Sequence, residues 1–170
     1  MTNILNNELS TFDKESKVWI YTSSKVFDEK ETCEIKELLT NFYTNWSSHG
    51  AKVKGYSTIL HNRFIIFVAD EKASGVSGCS IDKTVALLRE IATKYQTNLF
   101  DRFLISYELN NQIETTTLAD FKSKIDADLL EKNILVFNVH STKLGHLTKW
   151  QIPYSESVFS KIEAPISFGL

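Results

Sequence analysis

The sequence predicts an α+β fold in which two helices pack on one face of an antiparallel sheet. The prediction depends on the apolar residues, which switch between the period of two typical of strands and the helical period of 3.6. Two runs are apolar at nearly every position and indicate strands buried on both faces, at residues 18–21 and 63–69. Two further runs alternate and indicate strands with one exposed face, at residues 53–60 and 102–109.

Polar residues with isolated apolar side chains begin the chain, and we interpret residues 1–16 as a tail or a short docking helix before a domain spanning residues 17–170. After the first strand, apolar side chains recur at helical spacing. Asp28 and Glu31 precede this stripe with the spacing of a capping box. The pattern predicts a helix that ends near Gly50, a residue suited to a left-handed cap. The stripe consists of Ile35, Leu38, Leu39, Phe42 and Trp46.

A tight turn at His61 and Asn62 joins the second and third strands. A loop rich in glycine and serine then leads to a second amphipathic helix, and the strand at residues 102–109 completes the order β-α-β-β-α-β. This order is typical of a ferredoxin-like sandwich with strand order 4-1-3-2. In that sheet the two continuous apolar runs are central strands and the two alternating runs are edges. The second helical stripe consists of Ile81, Thr84, Val85, Leu88, Ile91, Ala92 and Tyr95.

Residues 17–110 account for this core, and residues 111–170 form a C-terminal α/β extension. The two helices cover only one face of the predicted sheet, although apolar side chains point to both. The extension or a second copy of the protein must therefore cover the other face. Within the extension we predict a strand at 113–116, a helix at 117–125 and a strand at 134–139.

The composition excludes several classes of protein. The chain has 170 residues, 19 basic and 21 acidic, and a net charge of −2, which argues against DNA binding. Two cysteines cannot build a disulfide-rich scaffold or a four-cysteine zinc site, and His140 and His146 lack a carboxylate at metal-ligand spacing. We therefore predict no metal and no cofactor. No apolar run is long enough for a bilayer and no secretory signal is visible, so a cytoplasmic location is expected.

The stretch whose residue types most favour a reactive or binding site lies between the third strand and the second helix, at residues 73–82 (A-S-G-V-S-G-C-S-I-D). A helix N-terminus attracts anions and lowers the pKa of a nearby thiol. The predicted topology places the loop that carries His49 at the same end of the sheet as Cys79, so we expect a thiolate nucleophile pair. The alternative is a loop relaxed by glycine, with a serine cap and a small buried cysteine. The predicted ligand-binding residues are Asp70, Gly75, Ser77, Gly78 and Ser80.

Four short motifs give the chain a resemblance to a known family. They are V-W-I-Y at 18–21, N-R-F-I-I at 62–66, S-G-C-S-I-D at 77–82 and L-F-D-R at 99–102. With these motifs, residues 17–155 resemble an uncharacterised bacterial family whose members often carry the label "ABC transporter ATPase". The label implies a P-loop, which requires G-x-x-x-x-G-K-[ST] to hold phosphates. No such string occurs in the sequence, so we predict no ATPase activity.

Two main functions remain open at this point. The favoured one is a non-catalytic module that uses the uncovered sheet face to bind an unknown protein or a second copy, because charge is balanced and no catalytic motif is complete. The alternative is an enzyme, or a protein that binds a small molecule or anion at the loop of residues 75–80. RNA binding is a third hypothesis, suggested by Trp19 and Phe67 on the predicted central strands. The predicted strand that contains Phe67 lacks the glycines of RNA-recognition motifs, which argues against this hypothesis.

Overall fold

The structure is a computed structural model that describes residues 8–70 and 78–163, the side chains of 78–80 excepted. The described chain forms two compact units, one of residues 8–100 with Val139–Thr148 and the other of residues 101–138 and 149–163. The predicted α+β class with antiparallel sheets is confirmed. Within the described ranges, no helix combines the length and apolar character needed to cross a bilayer.

The main sheet of the first unit has the antiparallel strand order β1-β5-β4. Its elements are, in chain order, β1 (Lys17–Thr22), α1 (Glu29–Thr44), β2 (Ser47–Ser48), β3 (Ala51–Lys52), β4 (Gly55–Leu60), β5 (Phe64–Ala69) and α2 (Gly78–Lys94). Strand β5 is central, with Phe67 opposite both Trp19 on β1 and Ser57 on β4. All six of its residues are fully buried, as the continuous apolar run predicts.

Both ends of α1 follow from local sequence. The Asp28 carboxylate accepts a hydrogen bond from the Glu31 backbone N–H, and the Glu31 carboxylate accepts one from the Asp28 N–H, so the predicted capping box is confirmed. The predicted helix end is wrong, because α1 stops at Thr44. Gly50 does have a positive φ of 81°, but it forms with His49 (φ 49°) the two-residue turn between β2 and β3. Two successive positive φ angles are typical of a tight hairpin turn.

Both faces of the central strand β5 are buried. On one face, Ile65 and Phe67 of β5 share a core cluster with side chains of α1 and α2. On the other face, Phe64, Ile66 and Val68 are fully buried in the single chain. The apolar face that the sequence left for a partner is therefore not exposed on β5.

The second unit contains a four-stranded antiparallel sheet with the order β7-β6-β8-β9. Its elements are β6 (Leu104–Leu109), β7 (Gln112–Thr117), α3 (Leu118–Asp126), β8 (Leu135–Phe137) and β9 (Gln151–Pro153). Asn110 and Asn111, with φ of 51° and 61°, form the two-residue turn between β6 and β7. The two strands and the helix predicted in the C-terminal extension are thus confirmed as β7, α3 and β8.

The position predicted for the fourth strand is wrong. Residues 102–109 were expected beside β1, but β6 pairs with β7 and β8 instead, so the described strands do not form the ferredoxin-like order 4-1-3-2. Four successive residues of β6 are buried, which is typical of a central rather than an edge strand. The tight turn at Asn110 makes β7 its nearest partner along the chain, and pairing across a short loop has a small entropic cost. Residues 142–145 lie beside β1, where Thr142 O accepts a hydrogen bond from Val18 N–H at 3.0 Å.

Residues 8–16 pack on the first unit. Leu9, in a short 3-10 helix (Leu9–Thr11), is only 1% exposed. The Lys54 ammonium donates to the carbonyl of Thr11 at 3.2 Å, and the Gly145 N–H donates to the carbonyl of Lys14 at 2.8 Å. The segment interpreted as a tail is therefore held against the fold from its first described residues onward.

Candidate functional site

A cavity of about 490 Å³ lies in the first unit, where β1 begins and β5 ends, beside the first turn of α2. Its described lining combines charged groups with an indole and aliphatic side chains. The lining includes Asp13, Glu15, Ser16, Lys17, Trp19, Asp70 and Lys143. We define these residues, with the space that they enclose, as the β1 cavity.

A tight turn leads the chain into one wall of the β1 cavity. The Ser16 N–H donates to the carbonyl of Asp13 at 2.9 Å, which closes the turn. The Asp13 carboxylate accepts a hydrogen bond from the Glu15 N–H at 2.8 Å. An aspartate that bonds to backbone two residues ahead stabilises such a turn. The turn therefore brings two carboxylates to the rim just before β1 starts.

Residues 142–145 lie directly beside this turn and the start of β1, and two of them, Thr142 and Lys143, line the cavity. They run antiparallel to the start of β1, with Lys17 directly opposite Lys143 and the Leu144 N–H donating to the carbonyl of Ser16 at 2.9 Å. Side chains directly opposite in an antiparallel ladder are neighbours, and like charges there are unfavourable. Glu15 reduces this repulsion, because its carboxylate lies 2.6 Å from the Lys143 ammonium.

Asp70 is the buried carboxylate of the site. It follows β5 directly and is only 7% exposed. Its N–H donates to the carbonyl of Lys54, and its side chain lies 3.1 Å from the Lys54 ammonium, which also lies 5.1 Å from the Phe12 ring centroid. Burial of a carboxylate is costly without such a partner, so the ion pair with Lys54 offsets part of the cost of burying Asp70. The sequence-predicted ligand residue Asp70 thus lies at the β1 cavity, and its role in binding stays a prediction.

Ser16 belongs to the described lining and carries a buried hydroxyl. The residue is 2% exposed, and its Oγ has no hydrogen-bond partner within the part of the chain that the structure describes. A buried hydroxyl without a partner costs roughly 1–3 kcal/mol, so native structures rarely keep one without a reason.

Trp19 provides the aromatic surface. It packs against the core with part of its side chain, remains partly exposed, and lines the β1 cavity. The other two tryptophans, Trp46 and Trp150, are 1% and 3% exposed. Trp19 is thus the one tryptophan of the three that a dissolved molecule can reach.

The predicted pair of Cys79 and His49 is not tested by the structure. The backbone of Cys79 lies in the first turn of α2, but its side chain, like those of Gly78 and Ser80, is outside the described residues, and so are Gly75 and Ser77. His49 is exposed in the turn between β2 and β3. This hairpin does lie beside the start of α2, because the Lys83 ammonium donates to the Ser47 carbonyl at 3.0 Å. The thiolate pair stays a prediction.

Sequence reasoning missed most residues of the β1 cavity. Glu15 and Lys143 are 128 positions apart, and neither belongs to a recognisable motif. Ser16 is an ordinary polar residue in a segment interpreted as a tail. The only local signal was Asp70, a charged residue immediately after an apolar strand. Pairing of residues 142–145 with β1 is what brings the others together.

The ion pair between Glu15 and Lys143 leads to a pH prediction. The hydrogen bond and charge of Lys143 hold the pKa of the Glu15 carboxyl below its ordinary value of 4.5. A carboxyl whose pKa is lower in the folded than in the unfolded state stabilises the fold above the unfolded pKa, and this contribution is lost as pH falls through the folded pKa. We therefore expect Glu15→Gln to lower the Tm at neutral pH but not in acid.

Calorimetry of the wild type and Glu15→Gln, from about pH 7 to about pH 3, measures this difference. Because both side chains are largely exposed, added salt should also reduce it. Glu114→Gln is the matched control, since this exposed glutamate on β7 belongs to the other unit. A Tm difference that stays constant from neutral pH into acid would contradict the prediction.

No group of three or more His, Cys, Asp and Glu side chains is arranged to hold a metal ion in residues 8–70 and 81–163. Comparison of the chain with protein-family models, curated proteins and solved structures found no match. The resemblance to the bacterial family labelled as transporter ATPases therefore stays a prediction.

Proposed function

We propose that this protein binds a small organic molecule in the β1 cavity. The observation that carries the proposal is a cavity of about 490 Å³ that brings the partly exposed indole of Trp19 and the buried carboxylate of Asp70 into one lining. Ligand sites in proteins typically enclose about 300–1,000 Å³ and combine apolar surface with a few placed polar groups. The β1 cavity has this size and this mixture.

Asp70 and Ile81 give a further argument, since they flank residues 71–80 in the sequence and both line the cavity. The proposal therefore follows the sequence-based alternative of a small-molecule site near the loop of residues 75–80.

A module that binds a protein partner or a second copy through the main sheet has less support. Such a module requires apolar area on a sheet face. The central strand β5 offers none, because Phe64, Ile66 and Val68 on one face and Ile65 and Phe67 on the other are all fully buried.

Tryptophan fluorescence with a panel of small organic compounds tests the proposal. A compound that enters the β1 cavity should shield Trp19 from quenching by acrylamide and raise the Tm, because binding to the folded state stabilises it. The Trp19→Phe variant should lose the change in quenching while it keeps an aromatic ring in the core. Trp150→Phe is the control and should retain the change, since Trp150 is buried and belongs to the other unit.

Substitutions in the lining of the β1 cavity distinguish binding in this cavity from binding elsewhere on the protein. A compound that binds in the β1 cavity should lose affinity in Asp70→Asn, which removes the buried carboxylate charge from the lining. If no compound protects Trp19, or if every stabilising compound binds Asp70→Asn and Trp19→Phe as tightly as the wild type, the proposed function is wrong.

A further inference from the structure

We infer that residues 8–16 form a movable strap that closes the β1 cavity, and that the ion pair of Glu15 and Lys143 fastens it. This inference rests on the proposed function and adds how access to the binding site is controlled. We refer to residues 8–16 as the strap. Its place beside the cavity, its contacts with the fold and the glycine beneath it support the inference.

The strap contributes to the lining of the cavity without belonging to the main sheet. Asp13, Glu15 and Ser16 all line the cavity. Strand β1 begins only at Lys17, where its pairing with β5 also begins. The strap can therefore leave its place while the pairing between β1 and β5 stays intact. That movement would uncover the part of the cavity that Asp13 and Glu15 line.

The contacts that fasten the strap include exposed polar ones. The Glu15 carboxylate lies 2.6 Å from the Lys143 ammonium, and these side chains are 62% and 46% exposed. The Lys54 ammonium donates to the carbonyl of Thr11 at 3.2 Å. Exposed ion pairs are weak, and salt screens them. Contacts of this kind break and form again in local fluctuations that leave the rest of a protein folded.

A buried apolar side chain favours the closed position. Leu9 lies in the short 3-10 helix of the strap and is only 1% exposed. Removing a leucine side chain from water is favourable, so Leu9 draws the strap back after it opens. A buried anchor combined with exposed polar contacts is the arrangement that a reversible closure requires.

Gly145 provides the seat for the strap. Its N–H donates to the carbonyl of Lys14 at 2.8 Å, and the neighbouring Leu144 N–H donates to the carbonyl of Ser16 at 2.9 Å. A Cβ atom at Gly145 would lie 3.1 Å from both the Cβ and the carbonyl oxygen of Lys14. Gly145 does not have a positive φ, so its backbone conformation is open to other residues. The close approach of the strap is therefore what favours glycine here.

The Gly145→Ala variant tests whether the strap moves. The added methyl group should push Lys14 away, and Gly145 is not part of the described lining. We expect hydrogen exchange of the Leu144 amide to become at least about fivefold faster than in the wild type. Acrylamide should also quench Trp19 more strongly, as measured by the difference from the same protein carrying Trp19→Phe. The Val18 amide, which donates to Thr142 in the same ladder, is the internal control and should not change.

Salt tests the fastening by Glu15 and Lys143. Raising NaCl from about 0.01 M to about 1 M should speed Leu144 exchange and increase Trp19 quenching in the wild type, because it screens this exposed ion pair. Glu15→Gln removes the pair, so the variant should show the faster exchange already at low salt and respond much less to added NaCl. Glu114→Gln is the matched control and should respond as the wild type does.

The outcomes separate this inference from the proposed function. A compound of the panel that protects Trp19 should also slow Leu144 exchange, because strap residues line the cavity that it fills. The strap inference is wrong if such a compound leaves Leu144 exchange unchanged, or if Gly145→Ala changes neither Leu144 exchange nor Trp19 quenching. It is also wrong if Val18 exchange rises as much as that of Leu144, because strap and sheet would then open together. In each of these cases the β1 cavity is still a binding site, whereas a panel without any binding compound contradicts the proposed function itself.

Discussion

Replacing Phe67 by alanine is expected to lower the free energy of unfolding by about 4 kcal/mol. The residue lies on the central strand β5 and is fully buried. Its ring makes edge-to-face contacts with Phe42 and Tyr21, with centroid distances of 5.7 and 6.3 Å. Alanine would remove these contacts and leave a cavity that the surrounding helices and strands cannot fill. Urea denaturation, followed by circular dichroism, measures the loss.

Two controls separate packing from the mere loss of an aromatic ring. Phe103→Ala removes the same side chain at a position that is 37% exposed, and it should cost much less. Phe67→Leu keeps most of the buried volume and should cost less than Phe67→Ala. A cost for Phe67→Ala similar to that of Phe103→Ala would contradict the packing described for β5.

Replacing Gly55 by alanine is expected to destabilise the fold by about 3 kcal/mol, although it adds a single methyl group. A Cβ atom at this position would lie 2.4 Å from Cε3 and 2.7 Å from Cζ3 of Trp46. Trp46 cannot easily move away, because it is 1% exposed and packs against Phe42 and Phe67. Glycine at the start of β4 is therefore required by the close approach of the indole.

A double-mutant cycle tests this explanation. In a Trp46→Leu background the indole is gone, so Gly55→Ala should cost at least about 1 kcal/mol less than in the wild type. Thermal or urea denaturation of the four proteins provides the comparison. Equal costs in the two backgrounds would show that backbone conformation, and not the indole, requires glycine at this position.

Features encoded by a few neighbouring residues could be predicted from the sequence. The capping box of Asp28 and Glu31 fixes the start of α1 through bonds within one turn. The burial of β5 follows from an apolar run that no exposed strand would tolerate. The turn at Asn110 and Asn111 follows from the ease with which asparagine adopts a positive φ.

Features that depend on distant pairing could not be predicted. Alternation in residues 102–109 indicates which side chains share a face but says nothing about which strand lies alongside, so β6 was assigned to the wrong sheet. The β1 cavity also depends on pairing between residues that are distant in the sequence. Lys17 and Lys143 become neighbours only when residues 142–145 pair with β1, and neither lysine carries a local signal of that pairing.

The pairing of residues 142–145 with β1 has a consequence for the order of folding. A chain made from its N-terminus completes β1, β4 and β5 long before residue 142 is synthesised, and until then the outer backbone groups of Val18 and its neighbours have no strand beside them. Open strand edges recruit other chains. The nascent protein thus passes through a stage in which the strands of its main sheet are already synthesised while one edge of β1 is still unpaired, and a chaperone that shields β1 would act at that stage.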